Sequence, residues 1–435
     1  MYMIDLITKK KLGQSLTAEE FKFLVPGIAN GTIPDYQISA WAMAVYFQGM
    51  SNEEVVAYTK AVIETGEAMD LSQITGFTID KHSTGGVGDK TSLVFGPIAA
   101  ALGLKVAKIS GRGLGITGGT IDKLEIIPKF KCDLAIKDFI KVVNKVGMSI
   151  ISQTGNLVPA DKKLYALRDV TGTVDSFPLI AASVMSKKIA MGADLILLDI
   201  KCGKGAFVAD VKNARKLAQL MVHIGKSFNK TVYAIISDMN KPLGKAIGNA
   251  LELQEVLLSL QNQGPEDLKI LVNNLVGLAL LGAKKVASLE QGIKQSELMF
   301  ANEQPLKIFY EFVKAQGGDV NYLKNINNLP PTKHIINITA NKSGYLDFIN
   351  NYALGELSVI LGAGRTTKAD IIDPMAGIYL KQVHGQKVEK GSVIMELHTN
   401  KPETLHDSFK QLASTTFAVY DIQKDIKPII LEIIM

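Results

Sequence analysis

Between residues 76 and 238 the chain repeats one pattern: a short β-type run, a turn or glycine-rich loop, then a longer segment with helical spacing. The runs are FTIDKHS (77–83), KVAKIS (105–110), MSII (148–151), DLILLDI (194–200) and VYAIISD (232–238). Segments such as LVFGPIAAALG (93–103) and VADVKNARKLAQLMVHIGKSF (208–228) lie between them as helices. Strands joined through helices pair in parallel, so this part must be an α/β domain with a largely parallel sheet. Ligands of such sheets bind off the carboxyl ends of the strands. Two glycine-rich loops fall at those ends, STGGVGDKTS (83–92) and SGRGLGITGGT (110–120).

The remaining chain divides around this domain. Residues 17–25, 35–48 and 51–68 show three- and four-residue apolar spacing, and two of these helices start on capping signals, Thr17 with Glu20 and Ser51 with Glu54. Two more helical stretches at 160–193, with no strand between them, interrupt the α/β order and are expected to pack back onto the N-terminal helices. After NNLPPTK the composition shifts to short β-like pieces, HIINITA, GIYLKQV and SVIMELHT. The expected organisation is a helical domain of residues 1–70 and 160–193, an α/β domain of 71–159 and 194–330, and a small C-terminal α+β unit of 331–435.

Composition narrows the function classes. With 435 residues, 47% hydrophobic and 21% charged, the chain reads as a multidomain globular protein. Its longest apolar stretches, such as 93–104, are too short and broken to span a bilayer. The N-terminus carries its charges after its apolar residues and no cleavable run follows, so a cytoplasmic location is expected. The net charge of +6 is spread without a run of five or more basic residues, which suits a small anionic substrate better than nucleic acid. Cys132 and Cys202 form no CxxC pair, and the six histidines show no metal spacing.

The loops are built for an anion. Glycines let backbone N–H groups approach it, Ser83, Thr84, Thr91 and Ser92 add hydroxyls, Lys81 adds charge, and a helix begins just after. A Walker loop needs Gly-Lys-Ser/Thr in sequence, but Asp89 separates Gly88 from Lys90. A dinucleotide fingerprint needs a third glycine where Thr91 stands. The second loop adds Ser110, Arg112 and Thr120 one strand away, and neither loop carries an acidic cluster for magnesium. A single phosphate therefore fits better than a metal-clamped diphosphate.

Ser110-Gly-Arg-Gly-Leu114, Thr117-Gly-Gly-Thr120, Asp122-Lys123 and Glu125 resemble the signature of the thymidine and pyrimidine-nucleoside phosphorylases. The resemblance extends, in the family's order, to KHSTGGVGD, KLYALRDVT (163–171), SVMSKK (183–188), CGKGAF (202–207), MNKPLGKAIGNALE (239–252) and LGAGR (361–365). It implies reversible phosphorolysis of pyrimidine nucleosides, releasing free base and a pentose 1-phosphate of inverted configuration, in pyrimidine salvage. It implies inorganic phosphate as co-substrate, no organic cofactor, and a homodimer joined through the helical domain, which closes on the α/β domain.

Residue by residue, the resemblance implies phosphate contacts from Lys81, Ser83, Ser92, Ser110 and Thr120, with Lys108 beside them. It implies base contacts from Arg168 and Lys187, with Ser183 and Tyr165 alongside, Leu114 as a pocket wall and His82 as a proton donor at the base. Arg168 offers a planar fork to a pyrimidine carbonyl, and Ser183 and Lys187, four apart, share a helix face. Thymidine-specific members carry an apolar residue where broader members, and this chain, carry lysine at 108. Uridine, deoxyuridine and thymidine are therefore all expected as substrates, the alternative being a thymidine-specific enzyme.

Broad members also bind a monovalent cation, potassium, through positions matching Gly88, 90, Leu243, Ala246 and Glu255. Position 90 is Lys90 here, where the family has threonine or a similar small residue. Its ammonium could occupy the ion's place, or its carbonyl could still be a ligand. The C-terminal unit also resembles a biotinyl- or lipoyl-type barrel, but it has no Met-Lys hairpin for cofactor attachment. The rivals are an anthranilate phosphoribosyltransferase-like enzyme, which needs acidic residues for magnesium, and a silent nucleoside- or phosphate-binding protein, which should have lost key positions.

Overall fold

The computed structural model describes residues 1–435 except 114, 117, 154–155, 327–330 and 366–369. Four helices open the chain: α1 (Met3–Lys11), α2 (Ala18–Asn30), α3 (Asp35–Gln48) and α4 (Asn52–Ile63). Both capping boxes form. Thr17 Oγ1 accepts the Glu20 N–H at 3.3 Å and Ser51 Oγ accepts that of Glu54 at 3.1 Å, with each glutamate answering its cap. Glu54 also takes the buried Lys10 ammonium at 2.7 Å, which ties α1 to α4.

The α/β unit follows as β1 (Thr78–Ser83), α5 (Thr91–Ala101), β2 (Lys105–Ser110), α6 (Thr120–Glu125), α7 (Ile136–Val146) and β3 (Met148–Ser152). The chain then inserts α8 (Pro159–Thr171) and α9 (Phe177–Met191), which pack on α2, α3 and α4. It resumes with β4 (Leu195–Cys202), α10 (Val211–Ser227), β5 (Thr231–Asp238) and the two-residue β6 (Ala246–Ile247). The helices α11 (Asn249–Leu260), α12 (Glu266–Gly282), α13 (Leu289–Phe300), α14 (Gln304–Ala315) and α15 (Val320–Lys324) complete it.

The main sheet has the order β13-β5-β4-β1-β2-β3. The strands β1 to β5 pair in parallel, whereas the last strand, β13 (Ile430–Ile434), lies antiparallel to β5. The chain runs outward from β1 to β3, then restarts at β4 on the other side of β1. The switch point is thus between β1 and β4, where the loops leaving the strands diverge and open a crevice. One core joins the helical unit and α10 to one face of the sheet, and a second packs α5 and α11 to α14 on the other.

A third core lies in the C-terminal unit, built from β7 (His334–Thr339), β8 (Gly344–Phe348), β9 (Gly377–Leu380), β10 (Lys387–Val388), β11 (Val393–Thr399) and β12 (Phe417–Tyr420). These strands form sheets β10-β8-β12 and β6-β9-β11-β7. Strand exchange runs both ways: β6 leaves the α/β unit to edge this sheet, and β13 returns to the main one. Neither exchange is visible in residues 331–435 taken as one unit, because two to five residues of β-type sequence do not say which sheet they edge. No helix among the described residues is long and apolar enough to cross a membrane.

Candidate functional site

A cleft of about 330 Å³ opens at the carboxyl ends of β1 and β2, between the α/β unit and helices α8 and α9. Strand alternation decides what β1 gives to it. Lys81 and Ser83 point to one face of the sheet, Asp80 and His82 to the other.

The first wall is made of loops. Ser83 and Ser92, with Lys108, Ser110 and Thr120, all line the cleft. Ser83 Oγ donates to Asp89 Oδ2 at 2.5 Å, and Asp89 Oδ1 accepts from Thr91 N–H and Oγ1 at 3.1 and 2.7 Å, which fixes the first turn of α5. In the second loop, Asp122 Oδ2 accepts the N–H groups of Gly113 and Gly119 at 2.6 and 3.2 Å. A Cβ on Gly119 would meet the Gly113 nitrogen at 2.1 Å, so the loop closes on itself only with glycine there. Arg112 pairs with Glu125 by both terminal guanidinium nitrogens, and Arg365 reaches Asp122 at 3.3 Å from the C-terminal unit.

Lys81 does not line the cleft. Its ammonium is fully buried, 3.1 Å from Asp199 Oδ2, and the same oxygen holds Lys201 at 2.9 Å. Ser237 Oγ donates to the other oxygen of Asp199 at 2.7 Å. Burial would raise the Asp89 pKa, but the charges of Lys201 and Lys81 hold that carboxyl well below its ordinary range. Lys108 donates to the carbonyl oxygen of Lys81. Burial pushes the Lys108 ammonium well below its ordinary value, and Lys188 and Lys81 push it the same way against Asp80 and Asp89.

The second wall is helical. Asp161 on α8 accepts from Ser183 Oγ at 2.9 Å and pairs with Lys187 at 2.6 Å, while Lys187 also donates to Ser183 Oγ at 3.1 Å. Arg168 lies two turns beyond Asp161. Its Nε donates to the Thr173 carbonyl at 3.1 Å and its NH2 group to that of Val174 at 2.5 Å. The Tyr165 ring has Arg168 Cζ 6.0 Å and Lys187 Nζ 5.8 Å from its centroid. Arg168, Lys187, Ser183 and Tyr165 therefore converge on one side of the cleft. Leu114 lies outside the described residues.

His82 lies between the walls. Burial lowers its pKa well below that of a free imidazole, and the charges of Lys188, Lys108, Lys81 and Lys187 lower it further, so the ring is neutral at neutral pH.

Sequence reasoning missed several members. Asp89, Asp199 and Lys201 form the charge network behind the loops. Their signal was available: Asp199 and Lys201 stand two apart in an otherwise apolar strand that is buried throughout, where ions occur only in pairs. Lys188, the neighbour of Lys187, is buried against Asp80 at 2.9 Å and donates to the Ile109 carbonyl at 2.8 Å. Val174, Ile180, Val184, Phe207 and Leu217 give the cleft its apolar lining, and nothing in their residue type singles them out.

The expected cation ligands are also gathered, but around a side chain. Lys90 Nζ donates to the carbonyl oxygens of Leu243 at 2.9 Å and Ala246 at 3.0 Å, and to Glu255 Oε2 at 2.5 Å. Three donors meet three acceptors, so the residues present do not fit a free monovalent ion.

Residues 4–66 match the glycosyl transferase family helical bundle domain and residues 75–302 its a/b domain, while 345–417 match the pyrimidine nucleoside phosphorylase C-terminal domain. Pyrimidine-nucleoside phosphorylase from Staphylococcus epidermidis is 50% identical over 403 residues, 93% of each chain. The chain belongs to the pyrimidine-nucleoside phosphorylase family. The same enzyme from Geobacillus stearothermophilus is 48% identical over 411 residues, 94% of each chain, and that from Bacillus subtilis 50% identical over 401, covering 92% of this chain and 93% of the other. Anthranilate phosphoribosyltransferase from Thermus thermophilus shares the fold, with a TM-score of 0.59 at 16% identity, over 72% of this chain and 100% of that one. Fold alone would not separate the family from that rival; the relatives at half identity and the C-terminal domain do.

Proposed function

We propose that the chain catalyses the reversible phosphorolysis of pyrimidine nucleosides, with uridine, deoxyuridine and thymidine all as substrates and free base and (deoxy)ribose 1-phosphate as products. Membership of the family supports the reaction. The observation that carries the site assignment is the meeting, in one cleft, of two hydroxyl- and N–H-rich loops with a helical wall holding Arg168 and Lys187.

In this reading inorganic phosphate is the nucleophile. Ser83, Ser92, Ser110 and Thr120 orient it, Lys108 adds an N–H donor from the cleft wall, and Lys81 adds charge from behind. A phosphate oxygen forms a bond to the anomeric carbon as the bond from that carbon to the base nitrogen breaks. The electron pair leaves with the pyrimidine, whose carbonyl oxygens gain negative charge. Arg168 and Lys187 stabilise that charge where it develops, which lowers the barrier rather than merely tightening binding. Neutral His82 donates an N–H hydrogen bond to the base.

Lys108 supports substrate breadth. It puts an N–H donor on the cleft surface where an apolar side chain would offer a ribose hydroxyl nothing. The proposed assembly is a cytoplasmic homodimer in pyrimidine salvage. Tyr2, Leu12, Tyr36 and Phe47, all well exposed on the N-terminal helical unit, support a second copy as the partner.

The test is an assay of free uracil and thymine released from each nucleoside, with and without phosphate. Release should require phosphate for all three nucleosides. No phosphate-dependent release would refute the reaction. A uridine kcat/KM under roughly a thousandth of that for thymidine, a gap of about 4 kcal/mol, would refute the breadth.

A further inference from the structure

Lys90 is fully buried at the N-terminal end of α5, in the loop that carries Ser83 and Ser92. A lone lysine in such a place would lose its proton or unfold the site. Here burial alone would lower its pKa, but Glu255, with Glu252 and Asp267 behind it, holds the ammonium above its ordinary value. The ammonium and its partners form a built receptor. Glu255 accepts the N–H groups of Lys245 at 2.9 Å and Ala246 at 3.2 Å besides the lysine. Gly88 sits at φ +77°, and a Cβ there would lie 2.6 Å from the Leu243 oxygen, so the loop backbone closes on the same carbonyl that Lys90 uses. The neighbouring Lys245 carbonyl accepts the Leu380 N–H of the C-terminal unit at 2.8 Å, and Ala246 pairs with Tyr379.

We infer that the Lys90 ammonium is a tethered replacement for a bound monovalent cation, pinning the anion-binding loop to the 243–247 segment and so to the C-terminal unit. Two carbonyl oxygens and a carboxylate at 2.5 to 3.0 Å are what a large monovalent ion would demand, and the lysine supplies the charge from within the chain. The protein should therefore need no added cation. Truncating Lys90 should restore the need, because it leaves a hole lined by the same oxygens and an unpaired buried carboxylate.

The experiment compares the intact protein with Lys90→Ala and Lys90→Met in buffers whose only cation is tetramethylammonium, then with sodium or potassium chloride added at fixed ionic strength. Thermal midpoint and phosphorolysis rate are both read. For the unaltered protein, potassium should move neither reading beyond what sodium does. Lys90→Ala should melt lower and be stabilised by potassium by about 2 °C or more, a shift worth roughly 2 kcal/mol for a chain this large. Lys90→Met fills the hole without charge, so it should melt lower and gain nothing specific from potassium. A several-fold dependence of the unaltered protein on potassium would overturn the inference, even if neither variant folds. So would a Lys90→Ala protein that melts like its parent in tetramethylammonium. The melting arms do not depend on the reaction proposed above, so failure of that reading would leave them intact.

Discussion

On the helical wall, Arg168 and Lys187 both line the cleft, although Arg168 is otherwise almost fully buried. On the loop wall, the corresponding lysines, Lys81 and Lys201, are buried behind the donors and face Asp199 and Asp89. The loop wall thus offers mostly hydroxyls and N–H groups, backed by charges that already balance one another. The helical wall offers cations directly, and they are compensated unequally. Lys187 has Asp161 at 2.6 Å, while Arg168 donates only to the neutral carbonyls of Thr173 and Val174. Neutral donors can hold an anion that arrives already charged; an uncompensated cation does most where charge appears during the reaction.

That difference singles out Arg168→Ala as the variant with the largest expected effect. It should lower kcat/KM by about a thousandfold or more, roughly 4 kcal/mol, while phosphate binding measured by calorimetry stays within about threefold. Turnover close to that of the parent would break the distinction between the walls, and so would a parallel loss of phosphate affinity.

Asp199→Asn probes the opposite wall. It is nearly isosteric and leaves Lys81 and Lys201, both fully buried, without their shared carboxylate. Removing one partner of a buried ion network costs about 3 kcal/mol or more. Guanidinium unfolding should report a loss of about 3 kcal/mol, partly recovered in phosphate because the anion can replace the missing charge. If stability is unchanged, the network is not what balances the loop wall.

The contrast between the walls was only half legible in the sequence. Strand-loop-helix order placed both glycine loops at the carboxyl ends of a parallel sheet, and the structure has them there because each strand is short and runs through its loop into a helix. Ser183 and Lys187 were readable as one helix face, since four residues make about one turn. Which way a lysine turns was not readable. Lys187 and Lys188 are adjacent letters, yet one lines the cleft on Asp161 and the other is buried on Asp80, because successive helix positions point about 100° apart. Lys81 looked like a phosphate contact, but its partner Asp199 is 118 residues away and known only through the β1–β4 pairing. The crossing of β6 and β13 between sheets was equally hidden, since an edge strand is chosen by the surface it finds.

The smallest expected effect belongs to His82, which stands between the walls and senses both. In the folded protein its pKa lies below the roughly 6.5 of a free imidazole, through burial first and then the nearby lysine charges. Between its folded value and about 6.5 the unfolded chain holds a proton that the folded chain lacks. Unfolding free energy therefore rises with pH across that window and levels off above it. Acidification from about pH 7 to about pH 5.5 should cost up to about 1.4 kcal/mol per pH unit from this group alone. A phosphate anion among the same lysines would offset their charge and raise the His82 pKa, so phosphate should flatten the slope. His82→Asn should lack this part of the slope with or without phosphate. The measurement is the guanidinium midpoint of both proteins at the two pH values, with and without phosphate. Equal slopes for the parent and His82→Asn would mean that the cations of the two walls do not meet at this ring.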